Sequence, residues 1–133
     1  MNTEIDKIIQ KSSFKIEEGR YIYAKVSEVL DMKNYFLVSR DVNEITVVTR
    51  EENIAGLDII ERNKDDYRLI ALNVSIPFYC VGFLATISQA IAEAGMNILI
   101  VSTYSKDYIL VKAEAIDSAK SVLLRLGFKQ TKE

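Results

Sequence analysis

The apolar residues of this chain follow two rhythms, and the clearer half is the second. From Leu69 an apolar run (Leu69, Ile70, Ala71, Leu72, Val74, Ile76) ends at Pro77, the sole proline. Proline has no N–H for a strand ladder, so the pattern predicts a strand that stops there. After Gly82, the residues Leu84, Ile87, Ile91 and Ala94 recur at helical spacing, and Gly95 offers a stop. A β-branched run from Asn97 to Tyr104 follows, then the link Ser105-Lys106, then a second run from Tyr108 to Val111. Ile116, Ala119, Val122, Leu123 and Leu126 mark a second amphipathic helix, closed by Gly127. The order strand, helix, strand, strand, helix is that of a ferredoxin-like βαββαβ unit, with only Phe128 to Thr131 left for its fourth strand.

The first half is less regular. Ile5, Ile8 and Ile9 fit one helical turn or a frayed arm, and Phe14 to Ile16 fits a short strand. Tyr21 to Val26 is rich in strand formers. In Ser27 to Asn34 the residues Val29, Leu30 and Met32 fit a single turn. Tyr35 to Ser39 and Glu44 to Thr49 predict a strand pair, and Ile54, Leu57 and Ile60 anchor the stretch from Glu51 to Arg62.

The two halves align as a repeat. At an offset of 63, Ser39 meets Ser102, Glu44 meets Asp107, Val47 meets Leu110, Val48 meets Val111 and Glu51 meets Glu114. Tyr21 to Val26 meets Leu69 to Val74 at the smaller offset of 48, and the 15-residue difference is about one helix long. The expected architecture is therefore α+β: two ferredoxin-like units, the first degenerate and lacking its long first helix. Residues 1–65 form the first unit with an amino-terminal arm, and residues 66–133 form the second. Without that helix, a face of the first sheet assigned to Tyr21, Tyr23, Tyr35, Leu37 and Val47 would be uncovered, and the short fourth strand would leave an edge for the arm or another chain. Both features predict a homodimer.

Composition narrows the function. Nearly half of the 133 residues are hydrophobic, enough for one compact domain or two small ones. The formal charge is −2 without a long like-charge run, which argues against a nucleic-acid surface. No apolar stretch approaches the roughly 20 residues of a membrane span. Residues Met1 to Ser13 are unlike a secretory signal, and a single cysteine, Cys80, suits a reducing cytoplasm. There is no histidine, which removes imidazole bases and the usual zinc ligands. The expected protein is a non-enzyme with no metal and no cofactor.

Several stretches carry a family resemblance. Ala92-Glu93-Ala94-Gly95, Val101-Ser102-Thr103-Tyr104 and Asp107-Tyr108-Ile109-Leu110-Val111-Lys112, with the loop Ser75-Ile76-Pro77-Phe78, resemble an ACT domain of the paired type found in small bacterial proteins. They are also similar to CASTOR-type arginine sensors and to the regulatory ends of aspartate kinases. Gly19-Arg20-Tyr21, Val38-Ser39-Arg40 and Glu44-Ile45-Thr46-Val47-Val48 resemble the degenerate first domain of that group.

The residues themselves point to a zwitterionic ligand. The first N–H groups of a helix have no internal partner and attract a carboxylate, and Gly82 allows close approach to the backbone. Asp107 can accept hydrogen bonds from an ammonium or guanidinium group, with the hydroxyls of Ser102 and Thr103 alongside. Phe78, Val81 and Phe83 serve as wall or core, and Cys80 as a small buried hydrophobe. The resemblance implies the same ligand, a free amino acid bound near this loop and near a contact between ACT units. The expected ligand-binding set is Pro77, Phe78, Val81, Gly82, Phe83, Ser102, Thr103 and Asp107. The alternative is an oligomerisation or interaction module with no ligand.

Overall fold

The computed structural model describes residues 3–74 and 81–132. The chain forms two units: residues 1–18 with 68–133, and residues 19–67. The amino-terminal arm therefore packs with the second half of the chain, whereas the sequence grouped it with the first. The reason is its apolar content. Helix α1 (Thr3–Gln10) buries Ile5 and Ile9 in the core of the larger unit, and strand β1 (Ser13–Ile16) buries Phe14 there.

In that unit the chain continues through β6 (Tyr67–Asn73), α2 (Phe83–Glu93), β7 (Leu99–Ser102), β8 (Asp107–Lys112), α3 (Ile116–Leu126) and β9 (Lys129–Thr131). β8 pairs with both β6 and β7, so the hairpin strand sits between the two strands joined by the α2 crossover, as the βαββαβ order requires. The far edge departs from that order. β1 pairs antiparallel with β6, and β9 pairs parallel with the outside of β1. Strand β1 thus fills the place beside β6 that the short final strand would otherwise take.

The helices lie where their apolar faces predict. Phe83, Ile87 and Ile91 of α2 and Ala119, Val122 and Leu123 of α3 are buried with Ile70, Leu72, Ile109 and Val111. Phe128 meets both Phe14 and Phe83 edge to face, with ring centroids 6.4 and 6.0 Å apart. Both helices end alike. Met96 N–H donates to Ile91 O and Gly95 N–H to Ala92 O, and Phe128 N–H donates to Leu123 O and Gly127 N–H to Leu124 O.

The unit of residues 19–67 contains β2 (Tyr21–Val26), β3 (Leu37–Arg40), β4 (Ile45–Arg50), a 3₁₀ turn (Glu51–Gly56) and β5 (Ile59–Arg62). Its strands pair in the order β3-β4-β2-β5. Where the larger unit places 25 residues that include a helix between β6 and β7 (74–98), this unit has ten and no helix between β2 and β3 (27–36). The turn Glu51–Gly56 stands in the position of the second helix.

Register corrects two expectations. β3 and β4 pair Leu37 with Val48 and Arg40 with Ile45, and β7 and β8 pair Leu99 with Leu110 and Ser102 with Asp107. The hairpins therefore superpose at an offset of 62 (Leu37 to Leu99, Ile45 to Asp107), one residue short of the sequence alignment. Their loops agree: Asp41 N–H donates to Glu44 O, and Thr103 N–H donates to Lys106 O. A slip of one residue exchanges the faces of a strand, so matching serines and acids misassigned every side chain by one place. The supposed uncovered face is likewise split. Tyr23 stands opposite Val48, and Ala24 opposite Val47. Val47 belongs with Ile22, Ala24 and Val26 in a core against which Tyr35 packs, on the face opposite to Tyr21 and Tyr23.

Candidate functional site

The α2 crossover returns the chain along the sheet, so β7 runs in the direction of β6 and the β7–β8 hairpin lies at the end of the sheet where β6 finishes. The start of α2 lies at that end as well. The topology thus brings together the two groups of residues that the sequence singled out.

At the helix start, Gly82 has φ +87°, a left-handed conformation that residues with a Cβ rarely adopt. A Cβ there would stand 3.3 Å from Ile5 Cδ1, so the α1 side chain also presses against this turn. Among the described residues, no side-chain hydrogen bond caps the first turn of α2. The carbonyl of Gly82 instead accepts from Thr86 N–H and from the Thr86 hydroxyl, both at 2.9 Å. Among the described residues, the leading N–H groups of this eleven-residue helix have no side-chain acceptor, and they stand at its partially positive end. Val81 is 90% exposed, just before the helix. Phe83 points the other way, 3% exposed within the core. Its side chain is structural, so only its backbone remains at the site. Pro77 and Phe78 lie outside the described residues.

At the hairpin, Ser102 and Asp107 are cross-strand partners, and the Ser102 hydroxyl donates to Asp107 Oδ1 at 2.7 Å. The Thr103 hydroxyl donates to Lys106 O at 3.1 Å. Ser102 and Thr103 are exposed, and Asp107 is partly covered. The Ser102 bond holds the carboxylate in place while its second oxygen remains able to accept another donor. Two contributors escaped the sequence reading. Ile5 is remote in sequence, and its contact with the helix start has no local signal. Thr86 was legible as a hydroxyl four residues after a helix-start glycine, which is the spacing of a bond back to that carbonyl.

The larger unit is an α+β layer of ferredoxin-like order, with the α2 start and the Ser102–Asp107 pair at one end. Residues 63–125, which span most of it, match the family model described as an ACT domain. A search of curated proteins found no match. Solved structures resemble the whole chain. A Vibrio cholerae protein of unknown function, described as a possible transport protein, is 25% identical with a TM-score of 0.80, over 94% of this chain and 97% of that one. An aspartate kinase from Clostridium acetobutylicum, described as an allosteric enzyme, is 12% identical with a TM-score of 0.66, over 87% of this chain and 34% of the kinase. The regulatory subunit of the Thermus thermophilus aspartate kinase, in its ligand-free form, is 11% identical with a TM-score of 0.58, over 86% of this chain and 95% of that one. Among the described residues, no helix is long and apolar enough to cross a membrane.

Proposed function

We propose that the protein is a non-catalytic cytoplasmic regulator that binds a free amino acid between the start of α2 and the β7–β8 hairpin. The carrying observation is the placement of the α2 start, with no side-chain cap among the described residues, and the Ser102–Asp107 pair at one end of the same sheet. The helix start offers N–H groups to the ligand carboxylate, and Asp107 offers a carboxylate to its ammonium. Gly82 permits close approach, Val81 walls the ligand, and Ser102 and Thr103 orient it. The ACT match and the regulatory subunit among the similar structures support a small-molecule role of this kind.

The unit of residues 19–67 is, in this reading, a degenerate ACT unit, supported by its strand order. We further propose a homodimer. The edge that favoured it in the sequence is filled by β1, but among the described residues β7 pairs only with β8, which leaves its outer side for another strand. Light scattering should give twice the mass of the 15.1 kDa chain, and a single-chain mass at micromolar concentration would refute the dimer.

A thermal-shift screen of the twenty amino acids tests the ligand. A binder at a hundredfold excess over its Kd should stabilise the fold by about 2.7 kcal/mol. Asp107→Asn keeps an acceptor for Ser102 and removes the charge. It should abolish the shift while leaving the ligand-free melting temperature within about a degree. A full shift in that variant would move the ammonium site elsewhere. No shift with any amino acid would favour the interaction module.

A further inference from the structure

The ten residues that replace a helix in the 19–67 unit leave a cavity of about 260 Å³ lined by Glu28, Val29, Leu30, Asp31, Tyr35, Gly56, Leu57 and Asp58. Its apolar side is half built. Val29, Tyr35 and Leu57 pack on the core beneath, while Leu30 is 90% and Met32 63% exposed. Gly56 lies beside the Tyr35 hydroxyl, which a Cβ there would touch at 3.5 Å, ordinary contact distance. The loop is held at several points. Ser27 N–H donates to Asp58 O at 3.1 Å, the Ser27 hydroxyl donates to Asp58 Oδ2 at 2.6 Å, and the Asn53 amide donates to Asn34 O at 3.1 Å. The apolar side chains are therefore presented by a fixed backbone.

The charge around them has one sign. Glu28, Asp31 and Asp58 line the cavity with no lysine or arginine among its lining residues, although Lys33 follows on the same loop. We infer that this groove is a docking site for a basic amphipathic helix of a partner protein, which would lay an apolar side chain beside Leu30 and Met32 and place lysines or arginines against the three carboxylates. The position is one that an amphipathic helix occupies in the ferredoxin-like order, and the acidic rim selects for cations on the entering segment. The same rim repels nucleic acid and anionic lipid.

Fluorescence anisotropy with the full chain tests the inference, using a labelled peptide of about 16 leucines and lysines patterned as a helix, and a second peptide with glutamate in place of lysine. The lysine peptide should bind and the glutamate peptide should not. Leu30→Ser and Glu28→Lys should each weaken binding about tenfold, and both variants should melt like the parent because these side chains are exposed. If either melts early, Met32→Ser takes its place and should weaken binding likewise. Asp117→Lys, an exposed acid on α3, should leave affinity within about twofold. Equal loss in Asp117→Lys, or unchanged binding in Leu30→Ser, would reduce the effect to nonspecific charge attraction and overturn the site. Failure of the lysine peptide to bind would also overturn it. Conversion of a dimer to a monomer by Leu30→Ser would assign the groove to a second copy of this chain instead.

Discussion

The two units share a strand order and differ in how they cover it. In the larger unit, α2 and α3 lay Ile87, Ile91, Val122 and Leu123 over the sheet. In the 19–67 unit, a loop and a 3₁₀ turn cover the same relative face with Val29, Tyr35, Ile54 and Leu57, none of which is fully buried. The hairpins nonetheless agree residue for residue at the offset of 62. Sheet register survives the loss of both helices because it is fixed by strand pairing and loop length, whereas a helix can be exchanged for any segment that supplies enough apolar cover.

The contrast predicts unequal responses to truncation. Ile87→Ala, at a fully buried position in α2, should destabilise by about 2–5 kcal/mol. Val29→Ala, half-buried in the loop at the corresponding place, should destabilise by about 0.5–1 kcal/mol. Urea unfolding reads both. Similar losses would mean that the loop packs as tightly as the helix, which would break the comparison.

Next in size is the helix start that the smaller unit lacks. Gly82→Ala forces a Cβ into a left-handed residue and against Ile5, and should destabilise by roughly 1–2 kcal/mol in the same urea assay. Adding Ile5→Ala removes the obstacle but not the backbone strain, so relief should be partial. Complete relief would locate the whole penalty in the clash.

The smallest effect belongs to the smaller unit. Burial, and secondarily the nearby Tyr67, raises the Tyr23 phenol above its ordinary 10.0. The native state therefore keeps this proton after the unfolded chain has released it. The contribution is fully present below pH 10.0 and is lost as pH rises through the folded value. Urea midpoints should fall between about pH 8 and about pH 11, and less so in Tyr23→Phe. An equal fall in both would assign the alkaline loss to other groups.

Much of the larger unit was legible because its residues obey one period at a time. The spacing of Ile87, Ile91, Val122 and Leu123 marked two helices, and their closing glycines marked the ends. What escaped was non-local. The sequence left the fourth-strand edge open to the arm or to another chain, and the pairing of Ser13–Ile16 with β6 and β9 decides for the arm; the repeat was read one place out because Ser39 and Ser102 look alike but occupy opposite faces of their hairpins. At the candidate site, Ser102 and Asp107 announced a pair by their places beside a tight turn. Of the two places expected for Phe83, wall or core, the side chain takes the core, where it meets Phe128.

The position of β1 has a consequence for the order of events during synthesis. Residues 19–67 can complete their pairing as soon as they have emerged from the ribosome, with contacts short in sequence and quick to close. Strand β1 is made before them, yet its parallel neighbour, residues 129–131, is made more than a hundred residues later. Until then one side of β1 is open after β6 has joined the other, a temporary template for any extended chain nearby. Lys15, in that pairing, puts a charge on the waiting strand, a feature that disfavours pairing with other chains before residues 129–131 are made.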